Sequence, residues 1–203
     1  MNIVCLDLEG VLVPEIWINV ANKTNTKELL LTTRDISDYD KLMRYRLKIL
    51  KEKNIKYKDI FDIINCLSPL DGAIDFLNIL KERYQVIILS DTYYDFAKPL
   101  MKKLNYPTLF CHRLVIDDDG YIRDYKLRIK NSKKEAVKRL KQLKFKIIAS
   151  GDSYNDIDML KTSHKGILFC PPENVIKEFP QFPVARNYSE LLSEITKAEE
   201  ELK

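Results

Sequence analysis

Short apolar runs recur along the chain, and segments with helical periodicity separate several of them. The runs are the sequences IVCL (3–6), QVIILS (85–90), TLFCHRLVI (108–116), KIIAS (146–150) and GILFC (166–170). Most are apolar throughout, as expected for strands that are buried on both faces of a sheet. The segment 71–84 is apolar at i, i+3, i+4 and i+7 from Ala73, and the segment 132–145 follows a similar pattern. This alternation predicts an α/β fold with three layers and a mainly parallel sheet.

Two regions depart from the alternation. In VIDDDGYIRDY (115–125), Asp119-Gly120 lies between β-branched and aromatic residues, which predicts a β-hairpin. Residues 14–68 contain only helical patterns, namely EIWINVANK (15–23), TKELLLTT (26–33), DYDKLMRYRLKILKEKN (38–54) and YKDIFDIINCL (57–67). We therefore expect residues 1–13 and 69–203 to form the core, and residues 14–68 to form a helical cap over the carboxyl edge of the sheet. That edge is where α/β sheets bind ligands.

Composition limits the possible classes of protein. With 203 residues, 45% hydrophobic and 32% charged, the chain is expected to form one globular core with a small insertion. The net charge of +4 is dispersed, so we expect no nucleic-acid partner. No apolar run is long enough to cross a membrane and no signal peptide is recognisable, so we expect a cytoplasmic protein. The four cysteines form no CxxC pair, so buried reduced thiols are expected rather than disulfides or metal ligands.

Polar side chains gather where the predicted strands end. Asp7 and Glu9 follow the first strand, Ser90 ends the second, Asp152 follows KIIAS, and Lys133 opens the helix before that strand. If these strands are neighbours, the side chains converge at one edge of the sheet. Three carboxylates there repel one another and repel an anionic substrate even more strongly. A lysine together with Mg²⁺, which prefers carboxylate and phosphate oxygens, would relieve that repulsion.

The pair of carboxylates at the first strand end suits nucleophilic catalysis. Asp7 can attack phosphorus and form an aspartyl phosphate, which divides one transfer into two steps. Glu9 can protonate the leaving oxygen and later deprotonate the incoming hydroxyl. The hydroxyl of Ser90 and the ammonium of Lys133 can hold the phosphoryl oxygens. The residues therefore predict a phosphoryl-transfer enzyme.

These stretches resemble, in order, the four motifs of the haloacid dehalogenase superfamily. The motifs are DLEGV (7–11), ILSDT (88–92), NSKKE (131–135) and GDSYND (151–156). The resemblance implies a Rossmann-like core, and the helical insert after the first motif matches the subgroup with a C1-type cap. Two features depart from the common pattern: Glu9 stands where most members carry Asp, and Ser132 precedes the lysine where Pro is common.

Longer stretches are similar to one family within this superfamily, the phosphoserine phosphatases that also act as phosphoserine:homoserine phosphotransferases. The stretches are CLDLEGVLVPEIW (5–17), TTRDISDYDKLMRYRLKIL (32–50), VIILSDT (86–92) and PENVIKEFPQFP (172–183). The family also carries Glu at the position of Glu9. It implies Mg²⁺ as cofactor, L-phosphoserine as phosphoryl donor, water and L-homoserine as acceptors, and a homodimer.

The same resemblance implies a role for each site residue. Asp7 would be the nucleophile and a Mg²⁺ ligand, Glu9 the acid/base that gives its carbonyl to the metal, and Asp152 a metal ligand supported by Asp156. Phosphate or substrate would be contacted by Ser90, Asp91, Lys133 and Asn155. From the cap, Glu15 and Arg46 would hold the ammonium and the carboxylate of the amino acid.

Simpler interpretations of single residues remain open. Arg46 falls within an apolar helical stripe, so its head could extend to solvent instead of binding an anion. Glu15 could serve the macrodipole at a helix N-terminus. Lys133 could be a solvated lysine of a basic helix, and Ser90 could simply end a strand.

Other functions also remain open on the residues alone. The nearest is a related phosphatase for a nucleotide or sugar phosphate. A receiver-type signalling domain is also phosphorylated on aspartate, but it places that aspartate after a later strand and needs no helical cap. A silent binding module fits poorly because no motif residue is missing.

Overall fold

The computed structural model describes residues 1–32, 35–36 and 38–203. Its strands are β1 (Asn2–Leu6), β2 (Gln85–Tyr93), β3 (Thr108–Ile116), β4 (Ile122–Lys126), β5 (Lys146–Gly151), β6 (Lys165–Phe169) and β7 (Val184–Ala185). They form one sheet in the order β4-β3-β2-β1-β5-β6-β7. All neighbouring pairs are parallel except β3 and β4, which form an antiparallel hairpin. The predicted parallel sheet and the predicted hairpin are both confirmed.

Helices cover both faces of this sheet. They are α1 (Ile16–Lys23), α2 (Tyr39–Glu52), α3 (Tyr57–Asn65), α4 (Ala73–Arg83), α5 (Tyr94–Lys103), α6 (Ser132–Gln142), α7 (Ile157–Thr162), α8 (Glu173–Glu178) and α9 (Tyr188–Glu201). Successive residues of β1 enter different hydrophobic clusters: Val4 and Leu6 pack with α4, α5 and α9, whereas Ile3 and Cys5 pack with α6 and α7. This arrangement confirms the three layers. Within the described residues, no helix has the length and apolar content needed to cross a lipid bilayer.

The helices α1, α2 and α3 lie between β1 and α4, inside the range predicted for the cap. The helix predicted over 26–33 is observed only as a 3-10 helix at Lys27–Leu30, because Leu31 is already extended. The last residue of that prediction, Thr33, lies outside the described residues, as do Arg34 and Ser37 of the stretch 32–50. The limits of the cap as a separate unit, residues 14–68, stay a prediction.

Strand β2 is longer than predicted. It continues past Leu89 to Tyr93, and its register with β3 shifts between these two residues. Ser90, Asp91 and Thr92 therefore lie in an irregular last part of the strand and not beyond its end. An irregular ladder lets side chains leave the strict alternation of a strand.

The prediction of buried cysteines is wrong for two of the four. Cys5 and Cys111 are buried in strands, but Cys66 and Cys170 are exposed, and all four thiols are free. Cys66 follows the end of α3. Cys170 follows the end of β6 with a φ of 45°, where the chain turns out of the sheet. Both positions are exposed because they terminate an element.

The hairpin of β3 and β4 contacts the cap. The N–H of Tyr57, at the start of α3, donates to the carbonyl of Gly120 in the hairpin turn at 2.9 Å. Nη1 of Arg44, in the first half of α2, lies 2.8 Å from Oδ1 of Asp124 in β4. The side chains of Arg44 and Asp124 are both exposed.

Candidate active site

The sheet order brings the predicted site residues to one edge. Leu6, at the end of β1, is paired with Ile88 of β2 on one side and with Ser150 of β5 on the other. The N–H of Asp7 continues this pairing and donates to the carbonyl of Ser150 at 3.0 Å. Because the chain leaves β1 toward β2 and later returns on its other side at β5, β1 borders a topological switch point. Such points are where α/β sheets form ligand sites.

A buried lysine lies between three carboxylates. Nζ of Lys133 is 2.9 Å from Oδ2 of Asp7, 2.8 Å from Oδ1 of Asp156 and 3.7 Å from Oδ2 of Asp91. Burial alone would lower the pKa of Lys133, but the carboxylates, Asp156 first, outweigh burial and raise this pKa well above its ordinary value. The solvated-lysine interpretation is therefore wrong, since only 3% of Lys133 is exposed.

The acidic groups outnumber this lysine. Carboxylate oxygens of Asp7, Asp152 and Asp156 all lie within 4.8 Å of one another. Burial, and after it the charge of Asp156, raises the pKa of Asp7 well above its ordinary value. The same two influences raise the pKa of Asp152 to about 7. Buried oxygen donors that remain short of positive charge fit a hard divalent cation such as Mg²⁺.

Asp156 is the last residue of a 3-10 helix (Tyr154–Asp156), and its carboxylate accepts hydrogen bonds from backbone N–H groups that precede this helix. Its Oδ2 accepts from the N–H groups of Asp152 at 3.0 Å and Ser153 at 3.1 Å, while its Oδ1 faces Lys133. A Cβ at Gly151 would overlap the Asp156 side chain, so this close packing requires glycine. Asp156, predicted as a supporting residue, thus lies inside the acidic cluster.

Asn155 is placed differently from its neighbour. Its side chain is exposed, and its Oδ1 is hydrogen-bonded to the hydroxyl of Ser153. No hydrogen bond from Asn155 to the acidic cluster is present among the described residues. The structure therefore brings Asn155 to the edge of the site without joining it to Lys133.

Glu9 lies in a tight loop just beyond the nucleophile candidate. Its Oε2 accepts from the N–H of Ile16 at 2.8 Å, which ties the loop to the start of α1. Burial, and after it the charge of Glu15, raises the pKa of Glu9 to about 7. A carboxyl with this pKa is present in both protonation states near neutral pH, as a general acid/base requires.

Gly10 allows this loop to approach the acidic cluster. Its φ is +76°, and a Cβ there would lie 2.6 Å from Cγ of Asp152. Only glycine accepts both that backbone conformation and that approach without strain. Gly10 therefore lets the loop that carries Glu9 pass close to Asp152.

The irregular end of β2 supplies a second polar group. The hydroxyl of Ser132 donates to Oδ1 of Asp91 at 3.1 Å, and Nε2 of His112 lies 3.6 Å from the same oxygen. Although burial would raise the pKa of Asp91, Lys133 and then His112 outweigh it and hold this pKa well below its ordinary range. Ser90 is buried beside this group, and its Oγ accepts from the N–H of Thr92 at 3.2 Å.

His112 is a site neighbour that sequence reasoning missed. It is buried in β3 beside Asp91, outside the four motifs. No spacing in the sequence signals this contact. It depends on the shifted register between β2 and β3, which only the folded sheet defines.

Arg46 enters the site region from the cap. Only 7% of it is exposed, on the same buried stripe of α2 as Leu42 and Met43, so its head does not extend to solvent. Nη2 donates to the carbonyl of Leu31 at 2.8 Å, and Nη1 lies 3.7 Å from the Met43 sulfur. Burial lowers the pKa of Arg46, and Glu9 is the strongest opposing influence. Arg46 is therefore a buried cation facing the acid/base candidate.

Glu15 precedes α1 as its N-cap residue, with an extended backbone. Its charge raises the pKa of both Glu9 and Asp152, which places its carboxylate near the cluster. Glu15 thus stands at a helix N-terminus and its charge acts on the site, while its role in binding an ammonium stays a prediction.

Comparisons with known proteins agree with this geometry. A family model described as haloacid dehalogenase-like hydrolase matches residues 1–164. Phosphoserine phosphatase ThrH of Pseudomonas aeruginosa is 55% identical over 198 residues, which cover 98% of this chain and 97% of that protein. A phosphoserine phosphatase of Pseudomonas syringae pv. tomato is 54% identical, over 98% of this chain and 84% of that protein.

Solved structures share the fold. A phosphoserine phosphatase in apo form has a TM-score of 0.78 at 23% identity, covering 95% of this chain and 98% of that chain. A substrate-bound phosphoserine phosphatase complex has a TM-score of 0.77 at 22% identity, covering 95% and 97% of the two chains. These likenesses confirm the predicted α/β architecture.

Proposed function

The chain belongs to the haloacid dehalogenase-like hydrolases, and from this membership we propose that it hydrolyses L-phosphoserine through an aspartyl phosphate on Asp7. The observation that carries the proposal is the buried carboxylate of Asp7 at the end of β1, 2.9 Å from Lys133 and grouped with two further carboxylates. The high identity to two proteins named phosphoserine phosphatase supports the choice of donor.

The chemistry requires two steps on the same aspartate. Oδ of Asp7 forms a bond to phosphorus while the bond from phosphorus to the serine oxygen breaks, and Glu9 gives that oxygen its proton. Glu9, now ionised, then takes a proton from water as the water oxygen attacks phosphorus and releases Asp7. Lys133 and Ser90 hold the phosphoryl oxygens during both steps. A pKa of about 7 for Glu9 suits both of its tasks.

Mg²⁺ is the proposed cofactor. Asp7, Asp152 and the backbone carbonyl of Glu9 would hold the ion, and Asp156 lies in the same carboxylate group. When bound, Mg²⁺ neutralises charge on the carboxylates and on the substrate phosphate. The raised pKa values of Asp7 and Asp152 support this proposal, since they express a shortage of positive charge around them.

The amino-acid part of the donor is assigned to the cap. Arg46 would bind the carboxylate of phosphoserine and Glu15 its ammonium. Asp91 and Asn155 would contact the donor or its phosphate. The burial of Arg46 beside Glu9 supports this assignment, because a buried cation benefits most from a fully charged partner.

We further propose that homoserine is an alternative acceptor, which would give phosphohomoserine in place of inorganic phosphate. The experiment supplies phosphoserine and Mg²⁺ with and without homoserine and quantifies both products. We expect inorganic phosphate without homoserine, and phosphohomoserine at its expense when homoserine is added. No phosphate release from phosphoserine would contradict the hydrolase proposal, and unchanged phosphate with no phosphohomoserine would contradict the transfer alone.

A further inference from the structure

The guanidinium of Arg46 is held by a tryptophan. Its Cζ lies 4.6 Å from the centroid of the Trp17 ring, which is on α1 of the cap. A cation at this distance from an aromatic ring is attracted by the ring's electron-rich face, and more strongly where water is excluded. Trp17 is half-buried and Arg46 is 7% exposed, so the contact is largely shielded from solvent.

The Trp17 ring is itself fixed. Its edge meets the ring of Phe96 on α5, with centroids 5.7 Å apart and planes at 75°. Phe96 is fully buried in the core. Trp17 thus contacts Phe96 of the core and Arg46 of the cap, and the contact with Phe96 sets the orientation of its ring.

The hydrogen bonds of Arg46 are incomplete. Nη2 donates to Leu31, but Nε is one of two buried side-chain polar atoms without a hydrogen-bond partner among the described residues. The Trp17 ring offers no hydrogen-bond acceptor to this N–H group, so the cation–π contact does not complete it. An unpaired buried donor is costly unless a ligand completes it.

We propose that Trp17 is a positioning residue for carboxylate recognition: it fixes the guanidinium of Arg46 so that the unpartnered Nε edge is available to a ligand carboxylate. This inference rests on the proposed function, in which phosphoserine brings that carboxylate. Trp17 acts through Arg46 and need not touch the reacting atoms. It therefore contributes to the choice of donor and not to the chemical step.

The kinetic test compares two donors, phosphoserine and phosphoethanolamine, which has the phosphate and ammonium but no carboxylate. For Trp17→Leu, we expect KM for phosphoserine to rise roughly tenfold. We expect kcat, and both constants for phosphoethanolamine, to stay within about twofold. Trp17→Phe, which keeps an aromatic face, should recover most of the loss. In an Arg46→Ala background, Trp17→Leu should have no further effect on phosphoserine, because its partner is gone.

The outcomes separate the two proposals. Equal losses for both donors in Trp17→Leu, or losses that multiply with those of Arg46→Ala, would mean that Trp17 only packs the cap against Phe96, and would overturn the inference. Wild-type enzyme that uses phosphoserine no better than phosphoethanolamine would overturn carboxylate recognition as a whole. If neither phosphoserine nor phosphoethanolamine releases phosphate, the hydrolase proposal itself is overturned.

A binding measurement supplies a second readout that does not depend on turnover. Trp17 is the sole tryptophan of the chain, so its emission, excited at wavelengths where the 11 tyrosines absorb little, reports this contact. In the Asp7→Asn protein with Mg²⁺, phosphoserine should change the emission at saturation, and phosphoethanolamine should change it far less. The same response to both compounds, or none to phosphoserine when calorimetry detects its binding, would contradict the proposal.

Discussion

The two charged regions of the site are built differently. At the strand edge, Lys133 already has carboxylate partners at 2.8 and 2.9 Å. In the cap, Arg46 is almost as deeply buried, yet its Nε has no hydrogen-bond partner among the described residues, and the charge that acts on it most strongly, that of Glu9, belongs to the core. The strand edge therefore pairs Lys133 with carboxylates of the protein, whereas the cap leaves one hydrogen-bond donor of Arg46 without an acceptor among the described residues.

This difference indicates separate tasks. Groups that are paired in advance need little rearrangement during the reaction, which favours transition-state stabilisation. A buried donor left incomplete discriminates between ligands, since only a ligand with the right acceptor relieves it. Variants of residues in each region test this division.

Removing the nucleophile should have the largest effect. Asp7→Asn keeps the side-chain shape but cannot form the aspartyl phosphate, so phosphate release from phosphoserine should fall by at least roughly 10⁴-fold. Labelling of the protein by donor phosphate should also disappear, while calorimetry should still detect phosphoserine binding. Asp75→Asn, at an exposed position of α4, is the matched control and should leave turnover unchanged. Normal turnover by Asp7→Asn would end the assignment.

Removing the paired cation should destabilise the protein in addition to impairing phosphate binding. Lys133→Met leaves the carboxylates without their cation, and we expect the free energy of unfolding without metal to fall by about 3–5 kcal/mol. Mg²⁺ should restore part of this loss. In Lys134→Met the lost ion pair, with Asp158, is exposed, and the expected cost is about 0–1 kcal/mol. Chemical denaturation measures both variants, and equal costs would contradict the importance of the buried contacts.

Removing the unsatisfied cation should change selectivity. Arg46→Ala should lower kcat/KM for phosphoserine roughly 100-fold, the scale of losing one partner of a buried charge pair. Phosphoethanolamine should be affected much less. Arg44→Ala, two residues earlier on the same helix, removes exposed ion pairs with Asp124 and Asp40 and a ring contact with Tyr125, and serves as control. Parallel losses for both donors would show that Arg46 supports the cap and does not read the carboxylate.

The raised pKa of Glu9 makes the stability of the metal-free protein depend on pH. Folding raises this pKa from 4.5 to about 7, so the folded state binds the proton more tightly than the unfolded chain does. The resulting stability is fully present below pH 4.5 and is lost as pH rises through about 7. We expect a loss of about 1 kcal/mol per pH unit between these values.

Denaturation of metal-free protein from pH 5 to pH 8 measures how the free energy of unfolding falls with pH. Glu9→Gln should remove the part of this slope that Glu9 contributes. Asp152, whose pKa is raised in the same direction to about 7, contributes a similar slope that Asp152→Asn should remove. Stability that rises with pH over this interval would contradict both assignments.

The fold could largely be predicted from the sequence because its signals are local. Apolar runs and helical periodicity marked the strands and helices, and Asp119-Gly120 marked the hairpin. The end of β2 could not be predicted, since Ser90, Asp91 and Thr92 are polar and lie where the pairing of β2 with β3 shifts its register. The segment 26–33 was apolar enough for a helix, but extended backbone at Leu31 ends it early.

The site could be predicted where its side chains directly follow the ends of strands. It could not be predicted where a contact depends on the register between two strands. Asp7, Lys133 and Asp152 converge as expected, because parallel strands share one carboxyl edge. The contact of Asp156 with Lys133 needs glycine at position 151, where a Cβ would overlap the Asp156 side chain, and a sequence signal for it is the capping-box spacing from Ser153 to Asp156. The contact of His112 with Asp91 has no local signal, because register is a property of the assembled sheet.

The hairpin of β3 and β4 has a consequence for how ligands exchange. Beyond its two covalent connections, the cap contacts this hairpin through Tyr57 with Gly120 and Arg44 with Asp124, and it contacts α5 and the end of β2 through Tyr57 with Asp95 and Tyr39 with Asp91. Any swing of the cap must break these bonds or carry the hairpin with it. Since exposed ion pairs weaken as salt rises, ionic strength should alter the opening rate of the enzyme more than the rate of the bond-breaking step.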